Sequence, residues 1–165
     1  MDKEQVYLES TVISYYANRR SANLIVAAYQ VITAEWWESE LPKYDAYISD
    51  FVLQEIGRGD QAAVAKRLAA AELFPLLEIP DRVEELAERY LSEIDIPRKS
   101  RVDAFHIATA VVNGMDYILS WNFHHISNVF VKEKIRRIND IEGVATPIIC
   151  TPEELREIKE DEHEE

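Results

Sequence analysis

Short apolar runs alternate along the chain with longer stretches in which apolar side chains recur at helical spacing. Runs of strand length occur at five places: residues 5–9, 45–49, 74–79, 117–121 and 146–150. They are continuous rather than alternating, which is typical of strands covered on both faces. The pattern therefore predicts five strands of a mainly parallel sheet.

The segments between these runs have the periodicity of helices. Ile25, Tyr29, Ile32 and Trp36 share one face of a long predicted helix between the first two strands. Further helices are predicted at residues 60–72, 81–94, 101–113 and 130–139. Asn113-Gly114 is typical of a helix C-terminus, and the sequence "TPEE" from Thr151 is typical of a capped helix start with proline in the first turn.

Strands that alternate with helices pair in parallel through right-handed crossover connections. The predicted fold class is α/β: a three-layer α/β/α sandwich around a central, mainly parallel five-stranded sheet. The sequence contains no repeat and no Gly/Ser-rich linker. We expect a single domain over residues 1–155, followed by an acidic C-terminal tail over residues 156–165.

Composition and charge narrow the range of functions. The chain has 165 residues, 47% of them hydrophobic, and a net charge of −13, which disfavours polyanions at long range without excluding them. It has no apolar run of about 18 residues, so no membrane span is expected. The N-terminus lacks the basic and apolar regions of a signal peptide, and the lone cysteine, Cys150, fits a reducing compartment. We expect a cytoplasmic protein.

Polar residues at the predicted strand ends are the candidates for chemistry, because ligands of parallel α/β sheets bind beyond the carboxyl ends of the strands. Glu9 ends the first run, Asn122 follows "YILSW", Asp103 lies in the first turn of "RVDAFHIATAVVNG", and Glu55 lies in "SDFVLQEIG". If the first and fourth strands are neighbours, Glu9, Asp103 and Asn122 converge, within reach of Glu55. Three such carboxylates repel unless a hard cation, Mg²⁺ or Mn²⁺, joins them.

Each of these residues also has a purely structural interpretation. Ser100 and Asp103 have the spacing of a capping box, and aspartate is favoured in the first turn of any helix. Glu55 is equally consistent with an exposed helix position and Asn122 with a turn. The strand-end pattern favours the functional interpretation of the set as a whole.

Basic residues lie close to Asp103 in the sequence. Arg98, Lys99 and Arg101 suit contacts with a phosphate backbone, which Arg19-Arg20 and the run at residues 132–137 would extend. The alternative is that these cations only keep the protein soluble.

Histidines and tryptophans have structural interpretations here. One turn after Asp103, His106 is either a hydrogen-bonded core residue or a group that orients a site carboxylate. His124-His125 lack the partners of a zinc site. Trp36-Trp37 is interpreted as core or a subunit contact rather than a base-stacking platform.

Three blocks of the sequence, "YLESTVISYY", "ISDFVLQEI" and "RVDAFHIATAVVNGMDYILSWNFHHI", resemble the successive signature blocks of PIN-domain nucleases, most closely the VapC-like toxins of type II toxin–antitoxin systems. The resemblance covers most of the chain. It implies a compact α/β/α sandwich, an acidic site that binds Mg²⁺ or Mn²⁺, and hydrolysis of RNA phosphodiester bonds. It also implies a homodimer.

By this resemblance, Glu9, Glu55 and Asp103 correspond to three metal-binding acids and Asn122 stands in the place of a fourth acid. Thr11 matches a small polar residue that lines the site. There are two departures: the first acid is usually aspartate, and Asn122 lacks the fourth negative charge. The substrate-binding candidates are Thr11 and the three basic residues near Asp103.

The sequence analysis therefore predicts a metal-dependent endoribonuclease, the toxin of a toxin–antitoxin pair, with RNA as substrate and a cognate antitoxin as partner. The alternative is a non-catalytic PIN-like module that binds RNA or protein, which the two departures and the net acidity favour. A phosphatase or other phosphoryl hydrolase on a similar sheet ranks last, because the first strand lacks the expected Asp-x-Asp.

Overall fold

Four short parallel strands form the centre of the computed structural model, which describes residues 2–164. The strands are β1 (Gln5–Leu8), β2 (Asp45–Tyr47), β3 (Tyr117–Leu119) and β4 (Ile148–Cys150). Their order in the sheet is β2-β1-β3-β4, and all neighbouring pairs are parallel. β1 and β3 are therefore adjacent, with Leu8 opposite Leu119, as the sequence analysis requires for a shared site.

Within residues 2–164, eight α-helices connect and flank the sheet. They are α1 (Ser10–Ala17), α2 (Leu24–Ser39), α3 (Asp50–Ile56), α4 (Gln61–Ala71), α5 (Asp81–Glu93), α6 (Arg101–Val112), α7 (Val129–Glu142) and α8 (Pro152–Glu164). Short 3₁₀ segments at Leu41–Lys43 and Arg98–Ser100 lead into β2 and α6. The α/β class with a parallel sheet between helices is confirmed.

The prediction of a fifth strand at residues 74–79 is wrong. Only a single bridge forms there, between Ile48 and Leu76, with hydrogen bonds from the Ile48 amide to the Pro75 carbonyl and from the Leu77 amide to the Ile48 carbonyl. Pro75 has no amide proton to extend the pairing, and Pro80 follows at the start of α5. The sheet therefore has four strands, and this segment contributes only an edge contact.

The predicted helix boundaries agree with the local hydrogen bonds. Thr151 and Glu154 form a reciprocal capping box at the start of α8, at 3.0 and 3.1 Å. α6 ends at Val112, and Gly114 has a φ of +70°, a conformation in which glycine is favoured. Residues 156–164, most of the expected acidic tail, continue α8, and Lys159 pairs there with Glu4.

Core side chains cover both faces of the sheet, which explains why the strands have apolar residues at successive positions of the sequence. Val6, Tyr7 and Leu8 of β1 and Ile118 and Leu119 of β3 are fully buried. Within residues 2–164, no helix combines the length and the apolar character needed to cross a bilayer.

Candidate active site

Glu9 lies where β1 ends and α1 begins, and its side chain caps α1. Oε2 accepts hydrogen bonds from the Thr11 amide at 3.0 Å, the Thr11 hydroxyl at 2.5 Å and the Ser120 hydroxyl at 2.9 Å. Although only 2% of the residue is exposed, these donors hold the carboxylate in place. The structure thus places a buried, oriented carboxylate at the carboxyl end of the central strand.

Glu55 approaches the same edge from α3. Its Oε1 accepts a 2.6 Å hydrogen bond from the Ser10 hydroxyl and a hydrogen bond from Nε2 of His106. His106 is fully buried on α6, and its Nδ1 lies 2.5 Å from the hydroxyl of Tyr7, which in turn lies 2.8 Å from the hydroxyl of Ser49. Both interpretations of His106 therefore apply, since it is a hydrogen-bonded core residue that also orients a carboxylate.

Asp103 lies in the first turn of α6 and is 6% exposed. Its Oδ2 accepts a hydrogen bond from Nδ2 of Asn122 at 3.3 Å. The Ser100 side chain makes no capping hydrogen bond, so a capping box does not account for Asp103. Asn122 is fixed in turn, because its backbone amide donates to the Ser120 hydroxyl and its side-chain Oδ1 accepts from the backbone amide of His125.

The ligand atoms of Glu9, Glu55 and His106 all lie within 4.8 Å of one another. Asp103 lies beside this group, outside the 4.8 Å set, and the charges of all three residues affect its ionisation. The four predicted residues thus converge at one edge of the sheet, with His106 as an additional member.

The hydrogen bonds within the described chain occupy one oxygen of each carboxylate: Oε2 of Glu9, Oε1 of Glu55 and Oδ2 of Asp103. The second oxygen of each is left for another ligand. Three carboxylate oxygens form a hard donor set, which fits Mg²⁺ or Mn²⁺. Both ring nitrogens of His106 are already engaged, so the carboxylates are the ligands at hand.

Burial and mutual repulsion raise two of the three carboxyl pKa values. Burial raises the pKa of Asp103 to about 6, from an ordinary 3.8, with Glu9 and Glu55 adding repulsion. Burial likewise raises the pKa of Glu9. Burial would also raise the pKa of Glu55, but the hydrogen bond and charge of His106 and the Ser10 hydroxyl together lower it. Such opposed shifts in one cluster are typical of functional sites.

The predicted phosphate-binding cations differ in their surroundings. Arg101 pairs with Glu88 of α5 and lies over the Phe105 ring at 5.6 Å. Arg98 and Lys99 are exposed in the 3₁₀ turn that precedes α6, and neither forms an ion pair within residues 2–164. On α7, the two arginines of the basic run are neutralised by the helix itself, since Arg136 and Arg137 pair with Glu133.

Four residues of the site were not identified from the sequence: Tyr7, Ser10, Ser49 and Ser120. All four donate or accept in the network that fixes the carboxylates. Ser120 directly follows β3, and Ser49 lies two residues after the end of β2. The strand-end rule that identified Glu9 would have found these two if it had been applied to hydroxyl groups.

No protein-family model and no curated protein sequence matches this chain. Among solved structures, the chain is similar to VapC20 from Mycobacterium tuberculosis, which is described as a sarcin-ricin loop cleaving toxin. The TM-score is 0.54 at 19% sequence identity, and the match covers 72% of this chain and 91% of VapC20. The chain therefore has the VapC-like PIN fold that the sequence blocks predict.

Proposed function

We propose that this chain, which has a VapC-like PIN fold, is a Mg²⁺- or Mn²⁺-dependent endoribonuclease that hydrolyses RNA phosphodiester bonds. The observation that carries the proposal is the convergence of Glu9, Glu55, Asp103 and Asn122 at the carboxyl edge of β1 and β3, with one oxygen of each carboxylate outside the hydrogen-bond network. The similarity in fold to VapC20, a sarcin-ricin loop cleaving toxin, supports the same activity.

Glu9, Glu55 and Asp103 would hold the ion, directly or through water. When bound, such an ion stabilises charge on the phosphoryl group and activates the attacking water. The chain's own residues orient the ligands. Thr11 and Ser120 hold the Glu9 carboxylate in place. Ser10 and His106 do the same for Glu55. The side-chain amide of Asn122 orients Asp103. No side-chain nucleophile is required in this scheme.

Arg98 and Lys99 would contact the RNA backbone next to the site, because they are exposed and α6 presents its N-terminus there. Arg101 would contribute less to binding the RNA backbone, since Glu88 already neutralises its charge. Thr11 would help to orient substrate or water. The wider proposal is that of a cytoplasmic toxin, homodimeric and controlled by a cognate antitoxin, with residues 1–155 as the functional domain.

The test is a calorimetric titration of Mn²⁺ into the wild type and into Asp103→Asn, which keeps the size of the side chain and removes its charge. We expect saturable binding to the wild type that the substitution weakens at least tenfold. A labelled RNA pool should be cleaved by the wild type only in the presence of the ion. Cleavage that Asp103→Asn leaves unchanged would rule out the assignment.

A non-catalytic PIN-like module remains the second candidate, favoured by Asn122 in place of a fourth acid. It predicts RNA or protein binding that is indifferent to Mn²⁺, with no cleavage at high Mn²⁺. The same two measurements separate the two functions.

A further inference from the structure

An aromatic cluster with one exposed ring lies beside the acidic site. It consists of Tyr15 of α1, Tyr29 of α2, and Trp121 and Phe123 after β3, and we call it the aromatic shelf. Tyr29 stacks on Trp121 at 4.5 Å between ring centroids, and Phe123 lies 5.6 Å from Tyr29 and 5.8 Å from Trp121. Phe123 is 44% exposed, and Tyr15 and Tyr29 are half-buried. Trp121 is buried, as are Trp36 and Trp37 elsewhere in the core. The shelf therefore presents the Phe123 residue and part of the two tyrosines to solvent, with Trp121 as a buried support.

Hydrogen bonds tie the shelf rigidly to the site. The Trp121 amide donates to the Thr11 hydroxyl at 2.9 Å, and that hydroxyl donates to Glu9. The Trp121 indole donates to Thr33 at 2.8 Å, which fixes its ring against α2. Asn122, which contacts Asp103, stands between Trp121 and Phe123 in the chain. A group lying on the shelf would thus be held next to a phosphate bound at the acidic cluster.

The charges around the shelf differ from those of the rest of the molecule. The chain carries 31 Asp and Glu residues, yet residues 10–34 and 117–132, which supply all four rings, contain none. Arg19 and Arg20 lie in the first of these segments, both exposed and neither in an ion pair within residues 2–164. Gln30, next to Tyr29, holds that turn through its side chain, which donates to the Arg19 carbonyl and accepts from the Ser21 amide.

We propose that the aromatic shelf is a binding subsite for an unpaired nucleobase of single-stranded RNA, with Arg19 and Arg20 contacting the neighbouring phosphates. The proposal rests on the ribonuclease function proposed above and adds the place on this chain where a base of the substrate is held. An exposed ring backed by stacked aromatic side chains, next to cations that form no ion pair within residues 2–164, is a combination that suits single-stranded nucleic acid, because every base offers a face for stacking. An apolar protein partner would account for the rings but not for the absence of acidic residues.

The test is fluorescence anisotropy with a labelled, mixed-sequence single-stranded RNA of about 12 nucleotides, in EDTA so that metal-dependent cleavage plays no part. Phe123→Leu keeps an apolar side chain and removes the ring, and it should weaken binding about tenfold. Phe123→Trp should bind as tightly as the wild type. Phe130→Leu is the matched control, since Phe130 is 79% exposed and contacts no other aromatic ring among the described residues, and it should change nothing.

Two further measurements define the subsite. A duplex of the same sequence should compete poorly, because its bases are not available for stacking. Arg19→Ala and Arg20→Ala should each reduce the slope of log Kd against log salt by about one.

Several results would overturn the subsite. They are a wild type that does not bind the single strand, a Phe123→Leu Kd within twofold of the wild type, and equal binding of single strand and duplex. If sedimentation shows that Phe123→Leu dissociates a dimer while RNA binding is unchanged, the shelf is a subunit interface instead. None of these results bears on Mn²⁺-dependent cleavage, so failure of the subsite and failure of the nuclease assignment are distinguishable.

Discussion

His106 donates a hydrogen bond to Glu55 from inside the core, and this contact links the acidic site to the buried hydroxyl of Tyr7. His106 is fully buried, and both of its ring nitrogens are engaged. The Tyr7 hydroxyl thereby sets the ring orientation and favours a proton on Nε2, the nitrogen that faces Glu55. Groups that orient a ligand in this way affect metal affinity without touching the metal.

Tyr7→Phe removes this support and leaves the ring in place. We expect a loss of about 1 kcal/mol in the free energy of unfolding, because one buried hydrogen bond disappears. We also expect Mn²⁺ affinity to fall about tenfold, because Glu55 is less well oriented. Chemical denaturation and calorimetric titration measure the two effects.

Tyr90→Phe is the matched control for this substitution. Tyr90 is equally buried, and its hydroxyl bonds to Asn139 of α7, which also contacts Thr146 ahead of β4. That position lies at the amino-terminal edge of the sheet, opposite the acidic site. The control should lose similar stability and keep the Mn²⁺ affinity of the wild type. Equal Mn²⁺ affinities for the two variants would contradict an orienting role for Tyr7.

Stability of the metal-free protein should fall as pH rises from about 4 to 7.5, with the part due to Asp103 lost between its ordinary pKa of 3.8 and about 6. The pKa of Asp103 is raised to about 6 in the folded state. Ionisation of the Asp103 carboxyl therefore begins to destabilise the folded protein above its ordinary pKa of 3.8, and this cost is complete above about pH 6. The shift corresponds to about 3 kcal/mol. Glu9 and His106 also have raised pKa values and act in the same direction, whereas the lowered pKa of Glu55 acts in the opposite direction.

Thermal unfolding in EDTA across this pH range measures the effect. The net charge of −13 adds a general trend of the same sign, so the informative quantity is the difference from Asp103→Asn, which cannot titrate at this position. The variant should show a flatter profile, and saturating Mn²⁺ should restore wild-type stability at neutral pH because it favours the ionised carboxylates. Parallel pH profiles for the two proteins would contradict the raised pKa.

The fold was largely predictable because buried parallel strands have a simple sequence signature. Four of the five apolar runs became strands, and the adjacency of β1 and β3 brought Glu9, Asp103 and Asn122 to one edge. The run at residues 74–79 failed because Pro75 cannot donate to a neighbouring strand, a local limit that an apolar pattern does not express.

The supporting network was less predictable than the carboxylates. Ser120 reaches Glu9 across 111 positions of the chain and Tyr7 reaches His106 across 99, so these pairs depend on sheet order and on helix rotation. The aromatic shelf has the same origin. Tyr29 and Trp121 come together only when α2 packs beside the end of β3.

Glu9→Asp should impair the site, although aspartate is the usual first acid in the resemblance noted above. Oε2 of Glu9 accepts three hydrogen bonds whose donors are placed for the length of glutamate. A shorter side chain cannot keep all three, and we expect Mn²⁺ affinity to fall several-fold. Glu9→Gln keeps the length of the side chain and removes its charge, and it should lower the Mn²⁺ affinity further. Tighter Mn²⁺ binding by Glu9→Asp would show that the longer side chain is a defect of this chain rather than an adaptation.

Asn122→Asp should lower the stability of the metal-free protein and raise its affinity for Mn²⁺. The side-chain amide of Asn122 donates to Oδ2 of Asp103 at 3.3 Å, and a carboxylate in place of that amide would repel the oxygen. We expect the metal-free protein to lose about 1–2 kcal/mol at neutral pH, from the lost hydrogen bond and the added repulsion. Mn²⁺ should bind about tenfold tighter, because a fourth charged oxygen joins the donor set.

Asn122→Ala separates the two contributions, since it removes the donor without adding charge. It should lose stability and gain no affinity. Calorimetric titration and denaturation of both variants give the comparison. If Asn122→Asp and Asn122→Ala have the same Kd for Mn²⁺, the residue at this position does not face the ion, and the Asn122 amide acts only in orienting Asp103.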